Sequence, residues 1–258
     1  MAGALTNVAG HRNKYEILKR GMPPEEVGRH FVGGGDSIWI GYLEIEMMRR
    51  CKNLAAASVV DIGCGIGRLT QHLLHENISA YLGIDIIPEI MAEAAEKAKD
   101  DPRFGFAIAE NCKIPAEDAS VDIIVAYSVI THLLDEESYE YFQEFRRVLK
   151  PGGVVIISFL DFMYKDHVDN FFLYASLHRK GHGDLLKFTT KEVLSLFAHR
   201  AGFAGVEFID GSVALKTSGL TSPIMPADKI PPTFTMIQSA CVLRPNAPKP
   251  KRWFSRLF

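Results

Sequence analysis

Nine residues, Val59-Val60-Asp61-Ile62-Gly63-Cys64-Gly65-Ile66-Gly67, hold the densest chemical information in this chain. An apolar run that ends in an acid and passes into alternating glycines brings bare backbone up to a ligand, where a side chain would collide. Dinucleotide-binding loops space their glycines G-x-G-x-x-G and seat a pyrophosphate on the following helix. Here Arg68 stands in place of the last of those glycines. Asp61 repels phosphate and suits a cationic ligand, and no Gly-Lys-Ser/Thr follows that would make a phosphate-cradling loop. A second acid, Asp85, closes Leu82-Gly83-Ile84-Asp85-Ile86 just before Ile87-Pro88. It is either a ligand contact or an ordinary turn residue. His132, in Thr131-His132-Leu133-Leu134, is the candidate general base, since an imidazole with a pKa of about 6.5 suits proton removal near neutrality. Packing beside Asp135 accounts for it as well.

These residues need elements to place them. Short Val/Ile-rich runs at 58–62, 80–84, 104–109, 121–127 and 154–160 read as buried strands, with helical stretches between them. The helix from Pro88 turns Ile90, Met91, Ala94, Ala95 and Ala98 inward. The one capped by Asp135 shares a face of Phe142, Phe145 and Leu149 and stops at Pro151-Gly152-Gly153. Strand–helix alternation with near-continuous apolar strands predicts a parallel sheet covered on both faces. Upstream, residues 1–52 read as a helical cap, with Ile38, Tyr42, Ile45 and Met48 on one helical face. Thr190 starts a later helix that Gly202 ends. Strands at 206–209 and 235–243 follow, the second antiparallel at an edge.

With those intervals, the chain resembles the class I S-adenosylmethionine-dependent methyltransferases that act on small molecules. Four stretches carry the resemblance: Asp61 to Gly67; Leu82 to Ile86; Ala109-Glu110-Asn111-Cys112-Lys113-Ile114-Pro115 with Ser120-Val121-Asp122; and Phe145-Arg146-Arg147-Val148-Leu149-Lys150-Pro151-Gly152-Gly153. The family commonly writes the third as D-A-x-x-L-P, so Glu110 is a departure that lengthens the acid. The resemblance implies an α/β fold, Rossmann-like and doubly wound, with a mostly parallel seven-stranded sheet. It also implies S-adenosyl-L-methionine as cofactor and methyl transfer to a small-molecule acceptor, oxygen being the expected atom. Gly63, Cys64 and Gly65 would floor the methionine and ribose. Asp61 would favour the ammonium, and Asp85 would accept the ribose hydroxyls. Ile86 would cover one adenine face, and Glu110 and Asn111 would meet the adenine edge. Tyr127 and Ser128 would border the sulfonium. Gly67 reads better as helix–strand packing than as a ligand contact.

The expected catalytic domain covers 53–245, with an insert at 162–186 over the acceptor site. That insert supplies Tyr164, His167 and Phe171 as candidate substrate contacts, because aromatics with a few polar groups make a small-molecule pocket. His167, His178 and His182 lack acidic company at ligand spacing, so no metal site is expected. Phe31-Val32-Gly33-Gly34-Gly35-Asp36 reads as a lid hinge, an amide cradle or a connector. The basic, aromatic tail 246–258 could touch a membrane surface, although a disordered end explains it more simply.

Composition bounds the rest. With 258 residues, 47% apolar and 23% charged, the chain can bury a core and is not intrinsically disordered. Lys plus Arg at 29 against Asp plus Glu at 31 leaves a net charge of −2, with no global field for nucleic acid. No apolar run suits a membrane span, and the N-terminus lacks the features of a signal peptide. Four scattered cysteines without CxxC spacing suit a cytoplasmic setting. Two other readings stay open: an idle cofactor-binding sensor or scaffold subunit, and a nicotinamide-dependent oxidoreductase, which Arg68 and the glycine spacing disfavour.

Overall fold

A computed structural model of the chain describes residues 8–31, 37–179, 186–218, 222 and 224–245. Three helices come first: α1 (Val8–Gly21), α2 (Pro24–Phe31) and α3 (Ser37–Cys51). Alternation then sets in with β1 (Ser58–Ile62), α4 (Thr70–Leu73), β2 (Ala80–Asp85), α5 (Pro88–Lys97), β3 (Phe104–Ile108) and β4 (Val121–Ala126). A 3-10 turn over Ile130–His132 leads into α6 (Asp135–Val148) and the long β5 (Leu149–Asp161). After it come α7 (Lys165–Arg179), β6 (Phe188–Thr189), α8 (Lys191–Ala201) and β7 (Gly205–Ile209). The chain closes with a two-residue pair, β8 (Leu215–Lys216) and β9 (Thr233–Phe234), and then β10 (Ser239–Arg244).

The main sheet runs β3-β2-β1-β4-β5-β10-β7, with the short β6 beside the end of β5. The first five strands are mutually parallel, and β10 is antiparallel to both its neighbours. From β1 the chain winds outward through β2 and β3, then returns to β4 on the other side of β1. That reversal opens a crevice at the carboxyl ends of β1 and β4, the usual ligand edge of such sheets.

Strand periodicity divides the core between two faces. Val59, Ile123, Val125, Val154 and Ile156 face α3, where Tyr42, Ile45 and Met48 are buried. Val60, Ile62, Ile124, Val155 and Ile157 face α6 and α8 through Phe142, Phe145, Leu194 and Ala198. Helices on both faces explain why these strands are continuously apolar. Ile38 is the exception on the α3 face, at 38% exposure.

Several expectations need correction. The last strand is not at an edge: β10 lies between β5 and β7, and β7 is the edge. Pro151-Gly152-Gly153 does not follow the end of the α6 helix directly, because Leu149 already pairs with Val121 before the register jumps to Ile123 opposite Val154. The three residues form a bulge, and a Cβ on Gly153 would lie 2.6 Å from Leu149 Cδ1. Leu134, not Asp135, is the cap of α6; its N–H donates to Glu137 Oε2 at 2.8 Å, while Asp135 pairs with Lys187 at 2.7 Å. The pairs β6–β5 and β8–β9 carry no sequence periodicity at two residues each. The loop 32–36, His182 and the tail 246–258 lie outside the described residues, as does the His178 side chain.

Candidate functional site

At the crevice a cavity of about 700 Å³ opens. Its walls include Gly63 and Gly65 of the β1 loop, Asp85 and Ile86 after β2, Glu110 and Asn111 after β3, and Tyr127 and Ser128 after β4. His132 lies on the same wall, on the 3-10 turn. Residues as far apart as Gly63 and His132 therefore meet because each follows a strand that ends at one rim.

Local backbone suits the site. Gly63, Gly65 and Gly67 have φ of +72°, +53° and +81°, a region that glycine enters without steric cost. Three of the five non-glycine residues with positive φ in the described chain, Asn111, Cys112 and Ser128, also line the cavity. Such conformations cost about 1–3 kcal/mol each and gather at ligand sites. Gly67 does not line the wall. A Cβ there would come within 2.9 Å of Ala94 on α5, so its role is close packing.

Asp85 is positioned by its own loop. Gly65 N–H donates to Oδ2 at 2.9 Å and Ile87 N–H to Oδ1 at 3.0 Å. Burial raises its pKa, and the amide donors oppose that rise. With amides of Gly65, Ile86 and Ile87 turned on it, the carboxylate still has acceptor capacity for a hydroxyl. Asp61 behaves differently. It is 4% exposed, lies behind the cavity wall, and accepts from Tyr81 Oη at 2.8 Å. Burial, then the charge of Glu44, push its pKa up to about 8. Glu44, from α3, lines the cavity and pairs with Arg68 at 3.3 Å; burial raises its pKa as well. Three buried carboxylates thus gather around the glycine loop, and Arg68 pairs with one of them, Glu44.

The remaining expectations divide. Cys64 is buried behind the loop, its thiol pKa driven up by burial, and contributes only backbone to the bend. Tyr127 shows its ring to the cavity, while its hydroxyl donates to the Glu44 carbonyl at 2.9 Å. The structure does not bring Tyr164, His167 and Phe171 onto the wall. His167 is 1% exposed, accepts from Asp161 N–H at Nδ1 (2.8 Å) and sets Nε2 at 3.3 Å from the Ile237 carbonyl. Phe171 packs on Phe162 and Phe188, and the Tyr164 hydroxyl donates to Asp166 at 2.9 Å. From the same helix, Asn170 and Tyr174 reach the cavity instead. Sequence reasoning also missed Glu44, Ser158 and Gln238. Glu44 left one trace, an acid inside the apolar stretch Tyr42 to Met48.

Comparison with known proteins agrees with this geometry. Residues 60–157 match the family model described as a methyltransferase domain. The chain is 31% identical over 112 residues to the alpha N-terminal protein methyltransferase 1 of Caenorhabditis elegans, covering 43% of this chain and 45% of that protein. It is 28% identical over 194 residues to the ubiquinone biosynthesis O-methyltransferase of Methylococcus capsulatus, covering 70% and 78%. A solved S-adenosylmethionine-dependent methyltransferase of Thermotoga maritima superposes with a TM-score of 0.59 at 18% identity, over 90% of this chain and all of that one, and shows the shared fold. Sheet order, glycine loop and matched segment define a class I S-adenosylmethionine-dependent methyltransferase domain. The chain spans less than half of the first two curated relatives it matches.

The cofactor of that class fits the residues present. Excess buried carboxylate suits a ligand carrying a sulfonium and an ammonium, and Asp85 suits a ribose diol. Arg68 and Arg12 on the cavity wall supply guanidinium groups for a carboxylate. Gly63 and Gly65 both line the cavity, and the missing Cβ at Gly63 admits Val129, whose Cγ2 would lie 2.6 Å from it.

Proposed function

We propose that the protein moves a methyl group from S-adenosyl-L-methionine to an oxygen of a small-molecule acceptor. One observation carries this reading: the acid-rimmed notch and an apolar end walled by Leu133, Leu160, Tyr174, Leu186 and Met236 are one continuous cavity, with His132 on its wall. The cofactor, when bound, supplies an electrophilic methyl whose transfer is an in-line displacement. The chain's own task is alignment, since reacting atoms must be held about 3–3.5 Å apart. Glu44 and Asp85 on the wall hold the cationic nucleoside, Asp61 backs them from behind the glycine loop, and the apolar wall excludes water. A ring nitrogen of His132 takes the proton that an acceptor hydroxyl loses. The name of the Methylococcus capsulatus relative supports oxygen as the acceptor atom.

In this reading residues 1–52 form a cap, 53–245 the catalytic domain, and 162–186 an insert over the acceptor end. A net charge of −2 favours no nucleic acid. No helix of the described residues is long and apolar enough to cross a membrane, and all four cysteines are free, which suits work in the cytoplasm. Incubation with methyl-labelled S-adenosylmethionine and fractionated small metabolites tests the proposal. Label should appear in a discrete small-molecule fraction, and label in none of them would overturn it.

A further inference from the structure

Three side chains, of which the sequence singles out only Ser128, close a ring on the cavity wall. Ser128 N–H donates to Ser158 Oγ at 2.6 Å, Ser158 Oγ–H donates to Gln238 Oε1 at 2.7 Å, and Gln238 Nε2–H donates to Ser128 Oγ at 3.0 Å. The members come from the carboxyl end of β4, from inside β5 and from the residue just before β10. All three line the cavity.

The ring has two effects. It holds Ser128 at φ +59°, a left-handed conformation that a serine keeps only when its surroundings hold it. It also sets the direction of hydrogen bonding. Ser128 Oγ accepts from Gln238 on one lone pair, so its own proton takes no part in the ring and is available to donate. No acceptor among the described residues takes that proton. The same segment is anchored from a second side, because the His167 imidazole lies 3.3 Å from the carbonyl of Ile237, next to Gln238. Met236, Ile237 and Gln238 therefore form a fixed strap across the cavity.

We infer that Gln238 is a positioning residue that holds the Ser128 hydroxyl as a hydrogen-bond donor to an oxygen of the methyl acceptor. This rests on the proposed methyl transfer and narrows its substrate class to acceptors that present a lone-pair oxygen beside the reacting atom. A hydroxyl, a phenol or a carboxyl oxygen qualifies. A bare amine offers no such partner.

Two substitutions separate positioning from mere support. Gln238→Leu breaks the ring. Gln238→Glu keeps it closed but reverses one bond, because a carboxylate only accepts and Ser128 Oγ–H must then donate to it, as Ser158 Oγ–H already does. The assay follows label from methyl-labelled S-adenosylmethionine into the metabolite fraction that the wild type labels, with S-adenosylhomocysteine affinity and melting temperature as controls. The Glu variant should melt and bind S-adenosylhomocysteine like the wild type, yet transfer methyl about tenfold more slowly, the size expected for one lost hydrogen bond. Ser128→Ala should show the same loss. A Glu variant as fast as the wild type overturns the inference, since a purely structural ring would tolerate it. If the wild type itself labels nothing, the proposed function fails first and this inference falls with it.

Discussion

Tyr81 of β2 donates its hydroxyl proton to Asp61 of β1 at 2.8 Å, across a parallel strand pair and out of reach of water. The bond leaves Asp61 an acceptor held rigidly behind the glycine loop. It does not cancel burial, so the carboxyl titrates at about 8 with Glu44 adding to the rise.

A carboxyl raised from the ordinary value of about 3.9 binds a proton in the fold that the unfolded chain releases. Its contribution to stability is complete below about pH 4 and is lost as pH climbs through about 8. The cofactor-free protein should therefore lose melting temperature over that window relative to Asp61→Asn, which has no proton to lose. Paired melts at several pH values check it, and a constant gap between the two proteins would contradict the assignment.

Asp85 accepts from both Gly65 and Ile87, so its removal loosens the loop as well as the diol contact. Asp85→Ala should weaken S-adenosylhomocysteine binding by about 10- to 100-fold, given about 1.5–3 kcal/mol for a hydrogen bond to a charged group. Titration calorimetry measures this directly. Unchanged affinity would remove Asp85 from the site.

Gly67→Ala tests packing rather than binding. The new methyl would meet the Ala94 Cα and Cβ at 2.9 Å with φ at +81°, and neither partner is the flexible end of a long side chain. Overpacking of this kind costs about 1–3 kcal/mol. Gly152→Ala has open space around it and is the control. Denaturant melts should separate the two variants, and equal stability would contradict the packing role.

His132→Ala should leave S-adenosylhomocysteine affinity intact and slow transfer by about 10²-fold, the lower range for general base catalysis. The deficit should shrink as pH rises, because an acceptor hydroxyl that ionises by itself no longer needs the imidazole. A deficit that stays constant with pH would assign His132 to binding or packing.

Much of this site could be read in advance because it lies at strand ends. Asp61, Asp85, Glu110 and Ser128 each terminate an apolar run, and parallel strands deliver their carboxyl ends to one rim whatever the details of packing. Gln238 sits ahead of a strand whose neighbours periodicity does not specify, so neither its partners nor the interior place of β10 could be read. His167 and Phe171 were drawn from the correct helix and Tyr164 from the residue just before it, but none of them from the side that reaches the cavity. A helix of 15 residues with apolar and aromatic side chains on several sides does not announce which of them meets solvent, sheet or ligand. Glu44 joins the site by tertiary packing of α3 against the sheet, and an acid within an apolar stretch, a feature that Glu46 shares, does not say what it will face.

The interior position of β10 also constrains the order of assembly. β7 finds no hydrogen-bonding edge on β5, because the slot between them belongs to a strand translated about thirty residues later. A chain emerging from the ribosome can close its first five strands as they appear, but must hold β7 in waiting until Ser239–Arg244 arrives. Late threading of that strand is then the step at which a stalled or shortened translation product would strand an open sheet edge and invite aggregation.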